Sequence, residues 1–272
     1  MMPELPEVET CLRGLEPLIK HKQVDRVIIR QRKLRWPIPI SLQQQLPGQK
    51  ITRLERRAKY LLLHSPGGVL IIHLGMSASL RLLEQSTRAQ KHDHVDIIFK
   101  DRSCLRYTDP RRFGALLWTQ DDPHQHPLLT HLGPEPLSKA FTAEYLYQLT
   151  RKRKTNIKTL LLNSKIVAGI GNIYAAEVLF KAQIHPQRAV GKISLARYQR
   201  LVKAIRTVLR TAIKQGGSTL KDFYSTAGKP GYFQQQHQVY GRDGLACRRC
   251  QRSLHKITIA QRTTVLCPHC QR

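Results

Sequence analysis

The first residues of the chain carry its most reactive chemistry. If translation starts at Met2 and this methionine is removed, Pro3 becomes the N-terminal residue and its nitrogen is a free secondary amine. Such an amine attacks an electrophilic carbon, for example C1′ of a sugar, and forms an iminium, which is a Schiff base. Glu4 follows directly and can protonate a leaving group or the opened sugar oxygen. Taken alone, the stretch fits an unprocessed, disordered terminus equally well.

The translation start decides whether this amine exists. Removal of the first methionine requires a small second residue, and Met2 is large, so a chain that starts at Met1 keeps both methionines. The nitrogen of Pro3 then belongs to an amide, whose delocalised lone pair is not nucleophilic. We therefore predict that the functional start is Met2.

Four cysteines near the C-terminus have the spacing of a metal site. They form two Cys-x-x-Cys pairs separated by sixteen residues: Cys247, Cys250, Cys267 and Cys270. This spacing is typical of a four-thiolate zinc ribbon, and we predict one structural Zn2+. Arginine and lysine surround the pairs, which favours a hairpin that binds nucleic acid. Cys11 and Cys104 have no partner at metal spacing, so we expect them to be buried thiols.

The charge of the chain limits the class of partner. Lys and Arg total 46 against 18 Asp and Glu, which gives a formal net charge of +28 over 272 residues. Such a surface attracts polyanions, and nucleic acid is the first candidate because binding to phosphates releases counterions. An anionic membrane is the second candidate, but no basic helix with an aromatic apolar face is present. No long apolar run or signal peptide is visible, so we expect a cytoplasmic protein.

The hydrophobic pattern predicts a β-rich half followed by a helical half. A helix is predicted over residues 4–19 from apolar residues at three- and four-residue spacing. Short strands rich in branched residues follow, and their spacing indicates a β-sandwich or barrel: residues 24–29, 51–56, 60–64, 69–74, 94–100, 104–107 and 115–118. A proline-rich linker covers residues 121–136, a long helix residues 195–215, and a loop residues 216 to about 238.

Three further motifs are ambiguous by themselves. Lys59 precedes a strand and fits a phosphate contact, a solvated charge or a second catalytic amine. The polar turn over residues 109–114 fits a proline-initiated turn with Phe113 in the core. It equally fits a wedge in which an arginine and Phe113 fill the gap left by an everted base. Gly169 and Gly171 precede a helix whose N-terminus can bind a phosphate, but glycine-rich turns are common.

Seven motifs occur in order along the chain: MPELPEVET from Met2, RRAKY from Arg56, HLGMS from His73, KHDHVD from Lys91, YTDPRRFG from Tyr107, GIGNIY from Gly169, and the cysteine quartet. With them the chain resembles the formamidopyrimidine-DNA glycosylases of bacterial base-excision repair over nearly its whole length. The resemblance implies a bifunctional enzyme that flips out and excises oxidised purines, chiefly 8-oxoguanine and formamidopyrimidines, from duplex DNA. Such an enzyme then nicks the strand at the abasic site by β- and δ-elimination.

The resemblance also assigns roles to residues. It implies that Pro3 is the Schiff-base nucleophile, that Glu4 is a proton donor, and that Lys59 and Arg262 are the proton donors linked to β- and δ-elimination. The residues that fill the void of the flipped nucleotide are Met76, Arg111 and Phe113. The residues that bind the DNA, together with Arg111, are His73, His92, Lys154, Asn172, Tyr240 and Lys256.

The implied fold is α+β. A catalytic β-sandwich flanked by helices covers residues 1–132, and a helix–two-turn–helix module with a lid loop over about 216–236 covers residues 133–236. A β-hairpin zinc ribbon covers residues 237–272. The resemblance further implies a monomeric, nucleoid-associated bacterial protein.

Two other functions stay open at this point. The sister glycosylase of the endonuclease VIII type, which removes oxidised pyrimidines, shares the proline, the glutamate, the helical module and the zinc ribbon. Leu5, Met76 and the pair Arg111 and Phe113 favour the purine enzyme. The other alternative is a non-catalytic, damage-binding zinc-ribbon protein, which a blocked N-terminus would produce.

Overall fold

The computed structural model describes residues 3–218 and 236–272. These residues form two compact units, one of residues 3–131 with 216–218 and the other of residues 132–215 with 236–272. Most of the predicted lid loop, residues 219–235, lies outside the described residues, as do Met1 and Met2. No helix among the described residues is both long and apolar enough to span a bilayer.

The first unit begins with helix α1 (Leu5–Ile19), close to the predicted helix. Glu4 is its N-cap, and Pro6 lies in the first turn, where its missing N–H needs no partner. The apolar residues predicted at helical spacing form one buried face, including Val8, Leu15 and Ile19. Burial of each such side chain stabilises the helix in place by about 1.5–3 kcal/mol.

Eight strands of the first unit form two four-stranded antiparallel sheets, the predicted sandwich. The strands are β1 (Val24–Ile29), β2 (Arg53–Arg57), β3 (Tyr60–Ser65), β4 (Gly68–His73), β5 (Ser79–Glu84), β6 (Asp93–Phe99), β7 (Ser103–Thr108) and β8 (Ala115–Thr119). One sheet has the order β1-β6-β7-β5 and the other β2-β3-β4-β8. Every residue of β4 and β6 is buried, which explains why their sequences do not alternate between apolar and polar residues.

Strand β5 and helix α2 of this unit were not predicted. Strand β5 contains Leu, Arg and Glu, which are good helix formers, and it carries no β-branched residue. Helix α2 (Ile40–Gln45) is short and buries only Leu42. It contacts β1 and β8, and α1 contacts β2, β3 and β5. Tertiary packing therefore determines both elements more than local preference does.

The described residues of the second unit form four α-helices and a β-hairpin. The helices are α3 (Ala143–Thr150), α4 (Ile157–Leu162), α5 (Asn172–Ala182) and α6 (Leu195–Lys214), and the hairpin strands are β9 (His255–Ile259) and β10 (Arg262–Leu266). The predicted long helix is confirmed as α6, which Ser194 caps by accepting the Arg197 N–H. Gly216 and Gly217, both at φ +76, follow its end. In the first unit, a short 3₁₀ helix, Pro123–Gln125, lies in the predicted linker.

The hairpin and its cysteines share a core with α5. Ala176 and Phe180 of α5 pack with Val239, Leu254 and Val265, and the cluster includes two of the buried cysteines. The sequence places too few apolar residues in this segment for a core of its own, and α5 supplies the missing surface. Apolar packing against α5 therefore holds the hairpin in place.

Candidate active site and zinc centre

The two residues predicted to start the chemistry lie at the N-terminus of α1. Pro3 is buried, and Glu4 is only 2% exposed. The Glu4 backbone N–H donates to Oε2 of Glu7 over 2.9 Å, which is one half of a capping box. Fully buried Glu7 thereby fixes the direction in which the chain enters the helix, and with it the position of Pro3.

Glu7 also holds a second segment of the chain. Its other oxygen, Oε1, accepts the Ser218 backbone N–H over 2.8 Å. Gly217 has φ +76, and a Cβ placed there would lie 3.0 Å from the same oxygen. The positive φ favours glycine at this position, and any side chain there would crowd the Glu7 carboxylate. One carboxylate thus links the start of α1 to the stretch that leads into residues 219–235.

Lys59 lies in the two-residue turn between β2 and β3. The turn requires Ala58 at φ +53, and Arg56 donates both to the Ala58 carbonyl over 3.1 Å and to Glu9 of α1 over 2.8 Å. Burial raises the pKa of Glu9, but the bonds from Arg56 and Arg13 outweigh it and hold this pKa below its ordinary value. The ion pair Arg56–Glu9 therefore fastens the Lys59 turn to the helix that carries Pro3 and Glu4.

His73 ends β4 opposite Tyr60 and is buried, with 8% of its surface exposed. Burial, with the positive charges of Lys59 and Arg35, lowers the pKa of His73 to about 4. Its Nδ1 accepts the Gly75 N–H over 3.1 Å, so the proton of the neutral ring lies on Nε2. A contact of His73 with a phosphate oxygen is thus a neutral N–H bond rather than an ion pair.

The predicted void-filling residues lie on two neighbouring loops after β4 and β7. Phe113 is 43% exposed, so the alternative in which it enters the core is wrong. The Arg111 guanidinium lies 4.7 Å from the centre of the Phe113 ring, within cation–π range. Met76 is half-buried. An exposed aromatic ring with a stacked cation can pack against DNA bases and bind phosphate.

The other predicted DNA contacts are spread over both units. In the first unit His92 is half-buried at the end of the β5–β6 connection. In the second unit Lys154 is exposed before α4, and Asn172 is the first residue of α5. The Asn172 side chain donates to the Thr263 carbonyl of β10 over 3.0 Å. The helix start and the hairpin strand that carries Arg262 are therefore joined directly.

The hairpin presents two of the predicted basic residues to solvent. Lys256 of β9 is exposed and pairs with Asp243 over 3.0 Å, while Arg262 begins β10 and is exposed. Fully buried Lys158 of α4 donates to the Thr263 carbonyl over 3.4 Å and contacts the Thr264 hydroxyl. The tip-side end of strand β10 is therefore fixed from α4 as well as from α5.

The four C-terminal cysteines come together as predicted. Their Sγ atoms all lie within 4.8 Å of one another, and a tetrahedral ZnS4 centre with Zn–S bonds of about 2.3 Å has S–S edges of about 3.8 Å. The Arg249 and Cys270 backbone N–H groups point at the sulfurs of Cys247 and Cys267 over 3.5 and 3.4 Å. Such N–H···S bonds stabilise thiolates in the ligand shell. The arrangement fits one structural Zn2+.

The two remaining cysteines are buried, as predicted. Burial raises the pKa of Cys11 to about 12 and that of Cys104 to about 11. Both thiols are therefore protonated and unreactive at neutral pH.

Comparison with known proteins assigns the family. The model of the formamidopyrimidine-DNA glycosylase N-terminal domain matches residues 2–116, and that of the H2TH domain of the same enzymes matches residues 132–224. The model of the zinc finger found in FPG and IleRS matches residues 244–272. A formamidopyrimidine-DNA glycosylase of Pseudomonas fluorescens is 53% identical over 271 residues, which cover 100% of both chains. The chain belongs to the formamidopyrimidine-DNA glycosylase family.

Solved structures of this family agree with the fold. The MutM (Fpg) protein of Thermus thermophilus is 37% identical, with a TM-score of 0.89 over 99% of this chain and 98% of that one. The Lactococcus lactis Fpg in complex with DNA containing N7-benzyl-Fapy-dG is 35% identical, with a TM-score of 0.91 over 99% and 100% of the two chains. With the zinc-finger match, the cysteine cluster is the structural zinc site of this glycosylase family member.

Sequence reasoning missed three buried carboxylates that organise the site of this family member. They are Glu7, Asp109 and Glu177, which are 0%, 0% and 3% exposed. Glu177 of α5 accepts the backbone N–H groups of residues 238, 239 and 240 over 2.9–3.0 Å, and so positions Tyr240. Burial raises the pKa of Glu177, and these three bonds act against the rise. The capping spacing Glu4 to Glu7 was a signal for the first carboxylate, whereas the other two bind distant parts of the chain.

Proposed function

We propose that this chain excises oxidised purines, 8-oxoguanine and formamidopyrimidines, from duplex DNA and then cleaves the strand at the resulting abasic site. Family membership and full-length similarity to formamidopyrimidine-DNA glycosylases support this function. The net charge of +28 suits a DNA substrate. One observation of the structure carries the proposal: Pro3 and Glu4 are held together, buried, at the start of α1, to which Arg56 fastens the Lys59 turn.

The proposed reaction starts at the N-terminal amine. Once residue 2 is removed, the Pro3 nitrogen attacks C1′ and the bond from C1′ to the base breaks. Loss of the amine proton and cleavage of the C1′–O4′ bond then open the sugar ring and leave the sugar as an iminium on Pro3. Glu4 donates the proton needed by the departing base or by the opened ring oxygen. Loss of a C2′ proton then expels the 3′-phosphate, and Lys59 is the proton donor of this β-elimination. Arg262 serves the following δ-elimination, which expels the 5′-phosphate.

The remaining residues hold the substrate open. A base inside a duplex is inaccessible, and its eversion costs a few kcal/mol. Met76, Arg111 and Phe113 replace the lost stacking, since Phe113 and Arg111 already form an exposed, stacked pair. His73, His92, Lys154, Asn172, Tyr240 and Lys256 bind the backbone. The zinc ion is structural and keeps the hairpin with Lys256 and Arg262 in place.

We also propose the finer assignments that accompany this function. The catalytic sandwich covers residues 1–132, the helical module with its lid residues 133–236 and the zinc ribbon residues 237–272. The protein acts as a monomer on duplex DNA and is associated with the nucleoid.

Cleavage of defined duplexes tests this function. The enzyme expressed from Met2 is incubated with DNA containing 8-oxoguanine opposite cytosine and, separately, with thymine-glycol DNA. We expect base release and strand cleavage with phosphate at both ends on the 8-oxoguanine duplex, and loss of the cleavage step in Lys59→Ala. Preference for thymine glycol would indicate the endonuclease VIII type. Tight binding without base release would indicate a non-catalytic damage-binding protein.

A further inference from the structure

Asp109 lies at the centre of the loops that carry the proposed void-filling residues. It is fully buried, yet it begins the turn that presents the exposed residues Arg111 and Phe113. The loop with Met76 runs alongside this turn. Neither the sequence motifs nor the proposed reaction assigns Asp109 a role.

The carboxylate of Asp109 joins the two loops through three hydrogen bonds. Its Oδ1 accepts the Ser77 hydroxyl over 2.8 Å. Its Oδ2 accepts the Gly114 N–H over 2.9 Å and the Tyr107 hydroxyl over 3.3 Å. Ser77 follows Met76 directly, and Gly114 follows Phe113 directly. Each loop is therefore fixed at the residue next to its void-filling side chain.

The Ser77 hydroxyl extends the link to Arg111. Its oxygen donates to Asp109 and accepts the Arg111 backbone N–H over 3.3 Å. The Arg111 backbone is thus held by a side chain of the other loop, and that side chain is oriented by Asp109. The spacing between Met76 and Arg111 depends on this relay.

The two loops pack backbone to backbone without room for adjustment. Gly75 has φ +59, and a Cβ there would lie 2.5 Å from the Phe113 carbonyl carbon. A Cβ on Gly114 would lie 1.8 Å from the Tyr107 hydroxyl and 2.6 Å from the His73 carbonyl. Both glycines are therefore required by close approach. This close packing and the Asp109 hydrogen bonds together set the register of the two loops.

The backbone of Asp109 holds a third loop. Its N–H donates to the His92 carbonyl over 3.0 Å, and its carbonyl accepts the Arg112 N–H over 3.2 Å. His94 Nε2 lies 2.8 Å from the same carbonyl oxygen. His92, a proposed phosphate contact, is thereby fixed relative to the turn of Arg111 and Phe113.

We infer that Asp109 is the positioning residue that sets the relative placement of Met76, Arg111 and Phe113 for insertion into the DNA. This inference rests on the proposed function of these three residues. The three donors use both side-chain oxygens of Asp109 as acceptors. An amide offers one oxygen and directs its NH2 at a donor. Asp109→Asn keeps the size of the side chain but loses the hydrogen bonds made by one of its two oxygens.

The experiment compares duplex with single-stranded DNA that carries the same abasic site. A single strand has no opposite base and no stacked void, so its reaction with the N-terminal amine does not need the inserted loops. We expect Asp109→Asn to lower the rate of borohydride-trapped adduct formation on the duplex, relative to the single strand, by about tenfold, the effect of one lost charge-assisted bond. Ser77→Ala is expected to change the ratio in the same direction, and Ser77→Thr to restore it.

A matched variant separates positioning from stability. Asp96 is a buried carboxylate of β6 that binds Arg106 and Arg30, away from the void-filling loops. Asp96→Asn is expected to lower the stability of the first unit but to leave the ratio of duplex to single-strand rates unchanged. An unchanged ratio in Asp109→Asn, or an equal fall in Asp96→Asn, would overturn the inference. If Asp109→Asn does not fold, the two Ser77 variants carry the same comparison.

A binding readout separates this inference from the proposed function. The fluorescence of 2-aminopurine placed opposite the abasic site reports loop insertion without any chemistry. If the wild-type protein forms no adduct on either DNA, the proposed function fails. Loss of the fluorescence change in Asp109→Asn, but not in Asp96→Asn, would still support the role of Asp109. A wild-type protein that gives no fluorescence change would overturn it.

Discussion

Glu177 offers the sharpest prediction about the second unit. Three backbone N–H groups, of residues 238, 239 and 240, point at its two carboxylate oxygens over 2.9–3.0 Å. Substitution by glutamine leaves one oxygen, which keeps two of the three donors, and turns an NH2 group toward the third. Loss of one bond to a charged acceptor costs about 2 kcal/mol, whereas Glu177→Ala removes all three bonds and costs about 5 kcal/mol.

Hydrogen exchange measures this effect at the donors themselves. Glu177→Gln is expected to speed exchange of the amides of residues 238–240 by about thirtyfold, which corresponds to about 2 kcal/mol. Zinc is kept saturating, so that the cysteine cluster does not add to the change. Urea unfolding of the same samples, followed by circular dichroism, gives the global value.

The matched control is Glu144→Gln in the first turn of α3. Glu144 is exposed in the same unit, so its substitution is expected to change stability by less than about 0.5 kcal/mol. The reasoning is refuted if Glu177→Gln exchanges no faster at residues 238–240 than Glu144→Gln. It is also refuted if Glu177→Ala lowers the free energy of unfolding by no more than Glu177→Gln does.

Three further predictions concern metal, pH and a strained turn. Elemental analysis is expected to find one zinc ion per chain. Cys250→Ser is expected to lose the zinc, and because the hairpin is then no longer held in place, its affinity for DNA at fixed salt should fall. Full affinity for DNA without zinc would contradict this. His73 has a pKa of about 4 when folded against about 6.5 unfolded, so the unfolded chain binds more protons between these values and stability falls as pH falls. Urea unfolding measures this effect: between pH 7.5 and pH 5, the free energy of unfolding should fall by about 2 kcal/mol less in His73→Gln than in the wild-type protein. An equal fall in both proteins would count against a buried, neutral His73 ring. Ala260 and Gln261 form the hairpin tip at φ +47 and +57, a left-handed backbone conformation that strains residues with a side chain. Ala260→Gly should relieve this strain and stabilise the zinc-loaded protein by about 1 kcal/mol in thermal unfolding. A loss of stability would disprove the strain.

Local patterns predicted most of the fold. The strands with branched apolar residues were found within two residues of their ends, and α1 and α6 within one. Helix α1 begins one residue later than predicted because Glu4 adopts an extended backbone and acts as its cap. Strand β5 was missed since its Leu, Arg and Glu residues favour a helix, and pairing with β7 overrides that preference.

The chemistry of the site was predicted from motifs, and its positioning was not. The spacing of the four cysteines was sufficient to predict the zinc centre, because the ligands lie in two short turns. For Phe113 the sequence allowed both a buried and an exposed side chain, and only the structure, in which Phe113 is 43% exposed, decides between them. The carboxylates of Asp109 and Glu177 accept hydrogen bonds from residues distant in sequence or from backbone N–H groups. Neither kind of interaction leaves a pattern in the local sequence.

The central claim is that the amine of Pro3 is the nucleophile. Borohydride trapping on a duplex with 8-oxoguanine opposite cytosine, followed by peptide mass spectrometry, tests it most directly. For protein expressed from Met2, we predict an adduct on a peptide that begins with Pro3. Met2→Leu, translated from Met1, keeps a residue in front of Pro3 and is predicted to form no adduct. An adduct on Lys59 or another lysine, or an adduct of equal yield in Met2→Leu, would contradict the account.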